Sequence, residues 1–304
     1  MKQILITGVN SYIGNAIEQY LMEYNSLQGR EIYRVDKISL REESWRTLDF
    51  SGYDAILHVA GIAHADIGRV SEETKALYYQ VNCDLTLEVA KKAKNEGVRQ
   101  FVYFSSVIVY GDSARVGEQK LITAATRPEP ANFYGDSKLQ AEIGLEQLKA
   151  DEFLVAVLRP PMIYGKNSKG NFPLLVKLAD KLPVFPAIDN QRSMLYVENL
   201  AEFVRLVIEQ QRGGILFPQN EEYVTTAKMV QSIGEVRGKR ILLWKVLKPL
   251  VYLAAKMPGK IGGLVNKAFG SLTIDKALSV QDIQGYQIYA LKESIQKSVR
   301  NYEG

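Results

Sequence analysis

Short, continuous apolar runs at 3–7, 32–35, 55–59, 101–105 and 154–158 alternate with longer helix-like segments at about 12–25, 72–95 and 132–149. Runs without a polar alternate face read as strands buried on both sides, and their alternation with helices predicts βαβ units in a parallel sheet. After Arg159-Pro160-Pro161 the texture changes. Helix-like stretches near 171–181, 197–211, 225–236 and 243–256 are separated by Pro/Gly breaks, and 215–217 is the one strand expected there. The pattern predicts an α/β fold, a doubly wound parallel sheet over 1–160 with a smaller, mostly helical lobe over 161–304. Some segments of that lobe are expected to return to the sheet, and the lobe is expected to lie over the sheet's C-terminal edge.

The turn after the first strand sharpens this. Thr7-Gly8-x-x-Ser11-Tyr12-Ile13-Gly14 joins a strand to a helix start. Gly8 lets the chain turn, Gly14 admits the helix close to the strand, and the exposed N–H groups of the new helix suit a pyrophosphate. Serine replaces the usual middle glycine, and its hydroxyl can donate to a phosphate. Asp36 lies where a carboxylate can bind both hydroxyls of an adenosine ribose, which favours NAD over NADP, although Lys37 and Arg34 beside it pull the other way. Asp49-Phe50 is a candidate adenine contact, and Ala60-Gly61 ends a third strand beside the pyrophosphate. His58, inside an apolar run, reads as a hydrogen-bonded core histidine.

The chemistry centres on Tyr134-x-x-x-Lys138. At i and i+4 the phenol and ammonium share one helix face. A nearby cation favours phenolate, so Lys138 is expected to lower a tyrosine pKa that is ordinarily about 10. That would suit Tyr134 to proton transfer near neutral pH, with Ser106 holding the reacting oxygen.

Thr7-Gly8-x-x-Ser11-x-x-Gly14, Asp36, Asn82, Ser105-Ser106-x-x-Val109-Tyr110-Gly111, Tyr134-x-x-x-Lys138 and Leu158-Arg159-Pro160-x-x-x-Tyr164-Gly165 occur in order along nearly the whole chain. Together they resemble the extended short-chain dehydrogenase/reductases with a Rossmann-type domain, in particular the UDP-glucose 4-epimerase-like branch of the NAD-dependent epimerase/dehydratases. Gly170-Asn171-Phe172, Arg192–Asn199 and the run around Lys138 are also similar to bacterial 4-ketohexosamine reductases of surface-polysaccharide synthesis. The resemblance implies that Tyr134 is the acid/base, that Lys138 binds the nicotinamide ribose, and that Ser106 contacts the sugar oxygen. It further implies cofactor contacts from Asn82, Ser105 and Pro161, and substrate contacts from Asn171 and Arg192. The expected partner is a UDP- or dTDP-sugar, and the expected assembly is a homodimer built on two helices, with Tyr78, Tyr79, Leu85, Val89 and Leu145 as candidate apolar contacts. Dehydratases of this family carry an Asp-Glu pair where this chain has Val107-Ile108. Aliphatic side chains transfer no protons, so dehydration is disfavoured. What remains is epimerisation at C4 through a 4-keto sugar, with net NAD(P)H-dependent reduction, or a non-catalytic dinucleotide sensor, as alternatives.

Composition adds compartment and charge. The chain has 304 residues, 46% hydrophobic, 24% charged. One cysteine, Cys83, permits no internal disulfide, and Met1-Lys-Gln runs straight into a strand, so a cytoplasmic enzyme is expected. Neither a metal nor a nucleic-acid partner is expected. From Arg237 to Arg300 there are 12 Lys/Arg against 3 Asp/Glu, a net +9 within an overall +4. A solvated basic face is the simplest account, and peripheral membrane contact by 240–267 is the alternative. The apolar run 241–255 is broken by Lys245, Lys248 and Pro249 and is too short to span a bilayer.

Overall fold

The computed structural model describes residues 1–63, 70–280 and 283–300. In chain order its elements are β1 (Lys2–Thr7), α1 (Tyr12–Gln28), β2 (Tyr33–Ile38), β3 (Ala55–His58), α2 (Glu72–Tyr79), α3 (Leu85–Asn95), β4 (Gln100–Phe104), β5 (Leu121–Ile122) and α4 (Phe133–Glu146). They continue through β6 (Leu154–Leu158), β7 (Met162–Tyr164), α5 (Phe172–Lys181), β8 (Val184–Pro186), β9 (Met194–Tyr196), α6 (Val197–Glu209), β10 (Gly214–Leu216) and α7 (Thr226–Val236). The last are β11 (Leu242–Trp244), α8 (Lys248–Ala255), α9 (Lys260–Phe269), β12 (Thr273–Ile274), α10 (Lys276–Val280) and α11 (Leu291–Val299). Two compact units result. One comprises Met1–Gly111, Arg127–Pro160 and Leu200–Pro218; the other comprises Asp112–Thr126, Pro161–Asn199 and the chain from Gln219.

The first unit is built on a six-stranded parallel sheet of order β10-β6-β4-β3-β1-β2. Successive strand side chains point to opposite faces. Leu5, Ile56, Phe101, Tyr103, Val155 and Val157 therefore share one face, where they form a core with Val89, Ala90 and Ala93 of α3 and Ala141 and Leu145 of α4. The other face takes α1 and α6. Gly14 of α1 approaches Ile6 so closely that an added Cβ would lie 3.0 Å from its Cγ2. Gln100, on that face of β4, donates to Val207 O of α6 at 3.0 Å. Helices on both faces make the sheet doubly wound, and each fully buried Leu, Ile or Phe contributes roughly 1.5–3 kcal/mol.

Local signals set the helix ends. Ser11 caps α1 by accepting from Gly14 N at 3.2 Å, and Gly29, at φ 65°, closes it in the left-handed conformation that glycine tolerates. The helix expected over 72–95 is interrupted by a π turn at Gln80–Asp84. That turn carries Asn82.

The second unit corrects the expectation of a single strand after residue 161. Three two-stranded parallel ladders, β5 with β12, β7 with β9 and β8 with β11, lie there. Strands of two or three residues are too short to show a period of two. The helix expected over 243–256 is likewise shortened. Leu242–Trp244 pairs with Val184–Pro186 as a strand, and α8 begins at Lys248, because Pro249 fits only the first helical turn.

Candidate active site

The parallel sheet sends the C-terminal ends of β1, β3 and β4 to one edge. Its strand order reverses between β1 and β3, the place where open α/β sheets take ligands. Gly8 leaves β1 at φ 95°, and an added Cβ would sit 3.4 Å from the Ala60 backbone beyond β3. Ser11, Tyr12 and Ile13 open α1, whose first turn holds no acidic residue to repel an anion. Gly61 is a second close approach. A Cβ there would lie 3.0 Å from Asn82 Oδ1 and 3.2 Å from Lys138 Nζ. Glycines that let the ends of β1 and β3 and the Lys138 amine pack closely, beside the N-terminus of a 17-residue helix, fit a dinucleotide.

Lys138 is buried, and its amine donates to Phe104 O at 3.0 Å and lies 4.8 Å from the Tyr103 ring centroid. Burial brings its pKa down to about 8, while Glu142 pulls it upward. Tyr134, one turn earlier, is half-buried against the edge of Tyr78, at 6.0 Å between ring centroids. Its phenol is pushed up to about 12, first by burial and then by Tyr78. Both causes act upward, and the lowering expected from Lys138 is not among them.

Gly135 brings the Tyr134 turn to Ser106. An added Cβ would be 2.8 Å from Ile108 O, so only glycine lets the start of α4 rest on the Val107–Tyr110 turn. Asn132 caps this helix at 3.0 Å from Gly135 N. Ser106 caps the facing turn, its Oγ accepting from Ile108 N at 3.2 Å, and its hydroxyl proton remains a donor.

Several of the expected contact residues also have partners within the chain. Phe50 is fully buried in the core beside Lys92; Asp49 is exposed, its Oδ1 accepting from Ser51 N at 2.8 Å. The Ser105 hydroxyl is committed to Glu142. Asn82 Oδ1 accepts from Ile62 N at 2.8 Å, while Nδ2 donates to Ile62 O and Ser137 Oγ, both at 3.1 Å, so it fastens the chain beyond Gly61. Asp36 sits within β2, not after it, opposite Leu5, and its Oδ2 accepts from Tyr53 at 3.1 Å. Strand alternation sends Lys37 to the opposite face, where its amine meets Glu18 at 2.5 Å and Asn15 at 3.2 Å on α1.

In the second unit, Pro161 is buried and Asn171 is exposed ahead of α5. Arg192 donates to Lys267 O at 2.7 Å and Ala268 O at 3.4 Å, closing the C-terminal end of α9. These contacts use one guanidinium nitrogen, Nη1, alone. Of the candidate dimer contacts, Tyr78, Val89 and Leu145 are buried in the chain's own core, and Leu85 packs against it.

His58 is a core histidine. The Thr86 hydroxyl donates to Asn82 O at 2.8 Å, so it accepts from His58 Nε2–H at 3.0 Å, and Nδ1 accepts from Thr7 at 3.0 Å. Burial and Lys138 lower its pKa to about 3, keeping the ring neutral. The residues missed from sequence are Glu142 and Arg159. Both are buried and paired with each other, and Arg159 also donates to Tyr110 at 2.6 Å. The available signal was spacing: Glu142 stands at i+4 from Lys138.

The family model described as NAD dependent epimerase/dehydratase matches residues 4–218. A UDP-glucose 4-epimerase of Vibrio cholerae is 26% identical over 295 residues, covering 90% of this chain and 87% of that protein. The N-acetyl-alpha-D-glucosaminyl-diphospho-ditrans,octacis-undecaprenol 4-epimerase of Escherichia coli O157:H7 is 28% identical over 224 residues, 69% of this chain and 64% of its own length. Among solved structures, UDP-glucuronic acid 4-epimerase of Bacillus cereus, in complex with NAD, shares the fold at TM-score 0.70 and 16% identity, covering 98% of this chain and 97% of the other.

Proposed function

The chain belongs to the NAD dependent epimerase/dehydratase family, and from that premise we propose that it is a 4-epimerase of a UDP-hexose or UDP-N-acetylhexosamine. The two relatives compared above are named for 4-epimerisation of a hexose carried on a diphosphate. When bound, NAD supplies a reversible hydride acceptor and a cationic ring that favours phenolate. In this reading Gly8, Ser11, Gly14 and Gly61 shape the cradle, and Lys138 orients the nicotinamide ribose. Tyr134 takes the proton of the C4 hydroxyl, leaving a 4-keto sugar, and returns a proton to that oxygen once the opposite face has been presented. Ser106 donates to the same oxygen. No net oxidation or reduction results. Lys37 is turned to Glu18, away from Asp36, while Arg34 shares the Asp36 face of β2, so the preference for NAD over NADP rests on the family and on the Asp36 carboxylate.

The observation that carries this reading is the Lys138 amine within reach of Gly61 and Phe104 O, one helical turn from Tyr134. Replacing Tyr134 by Phe is expected to lower turnover of UDP-glucose or UDP-N-acetylglucosamine by about 10²–10⁴-fold, the usual worth of a positioned acid/base. Calorimetric NAD affinity should change little. Near-wild-type turnover in Tyr134→Phe would overturn the assignment, and stoichiometric consumption of NADH with a 4-keto sugar would make the enzyme a reductase.

A further inference from the structure

Residues 242–264 reverse the ordinary distribution of apolar side chains. Nine of the nineteen exposed large hydrophobic residues of the described chain fall in this short stretch. Val246 is 72% exposed, and Leu253 and Leu264 are each 66% exposed. Leu250 and Leu253 stand at i and i+3 on α8, as do Ile261 and Leu264 on α9, so each pair shares one helix face. Patches of this kind mark binding surfaces more often than chance exposure.

The platform beneath them is well tied. Asn266 Nδ2 donates to Ala255 O and Gly262 O, both at 2.9 Å, and its Oδ1 accepts from Val116 N at 2.9 Å. Gly262 permits the tight connection between the helices, since an added Cβ would lie 2.0 Å from Met257 O. The exposed side chains are therefore presented by an ordered hairpin.

Charge selects the occupant. From Arg240 to Ile274 the chain contains six basic residues and no acidic one. Lys245, Lys256, Lys260 and Lys267 are exposed, while Lys248 pairs with Asp189. A second copy placed on this face would set lysine against lysine. An anionic bilayer offers both complements, phosphates for the ammonium groups and an acyl boundary for the leucines. Among the described residues no helix is long and apolar enough to cross a membrane, so the hairpin would lie in the interface.

We propose that the α8–α9 hairpin, with Trp244, docks this protein on the surface of an anionic lipid bilayer. Trp244, Leu250, Leu253, Ile261 and Leu264 enter the headgroup boundary, and Lys245, Lys256 and Lys260 meet lipid phosphates. The inference is independent of the catalytic reading. Flotation of the full chain with vesicles tests it. The protein should float with equimolar phosphatidylcholine and phosphatidylglycerol and much less with phosphatidylcholine alone, and high salt should weaken the anionic component. Leu250→Gln/Leu253→Gln should lower partitioning about tenfold or more, and Lys256→Glu/Lys260→Glu by at least about fivefold per lysine removed. Calorimetric NAD binding by both double variants should match the parent, showing that the fold survives. Lipids brominated in their acyl chains should quench Trp244 but not the buried Trp45. Absence of flotation on anionic vesicles, or flotation unchanged in both double variants, would overturn the proposal. So would self-association that is lost in Leu250→Gln/Leu253→Gln without any vesicle binding, which would assign the face to a second copy.

Discussion

The surroundings of Lys138 and the α8–α9 hairpin depart from the polar-outside, apolar-inside rule in opposite directions. Around Lys138 the chain buries an ammonium, a carboxylate and a guanidinium together. On α8 and α9 it exposes leucines beside lysines. The buried charges are tolerable because each has a partner. Glu142 accepts from Arg159 and Ser105, Arg159 also donates to Tyr110, and Lys138 donates to a carbonyl. Their worth is therefore collective, and removal of one strands the others. The exposed leucines have no such mutual dependence within the chain, so each contributes little to folding. One region is held together by its own partners, and the other is arranged for something outside the chain.

The largest break in that contrast should come from Glu142→Ala. It leaves the Arg159 guanidinium buried without its carboxylate and is expected to cost about 3–5 kcal/mol in urea unfolding. A cost below about 1 kcal/mol, typical of surface pairs, would show that the network is not interdependent.

His58 sharpens the comparison through pH. Its folded pKa of about 3 lies below its ordinary 6.5, so between those values the unfolded chain binds the proton that the folded chain refuses. The contribution of neutral His58 to stability is therefore complete above about pH 6.5 and is lost as pH falls toward 3, with a slope of up to about 1.4 kcal/mol per pH unit. Denaturation across that window should show this slope in the parent and a flatter line in His58→Gln.

The smallest effect belongs to the hairpin. Leu250→Gln/Leu253→Gln should change stability by no more than about 0.5 kcal/mol per substitution in the absence of lipid, because exposed side chains contribute little to the core. A larger loss in the same urea experiment would mean that these leucines are packed in solution, and the contrast with Lys138 would disappear.

What was readable in advance follows from the range over which each feature is encoded. The strands, the Gly8 turn, the Ser11 cap and the Tyr134–Lys138 pairing are local, set by residues within a few positions of one another. The side-chain partners of Phe50 and Ser105 were not readable, because they lie far along the chain. Glu142 lies 37 residues from Ser105, and Phe50 belongs to a core assembled from four strands and two helices. The carbonyls that Arg192 meets were hidden for the same reason, since they belong to a helix end 75 residues away.

By itself, then, the sequence determined the parallel α/β architecture, the glycine turn after β1 and the placement of Tyr134 and Lys138 one helical turn apart, because apolar periodicity, turn glycines and helical i, i+4 spacing are short-range properties. Tertiary structure alone decided which charges around Lys138 are buried, that burial raises Tyr134 toward 12 instead of leaving it to Lys138, and that the apolar run at 242–264 faces outward. Those outcomes depend on desolvation and on distant partners, and neither is encoded within any one segment.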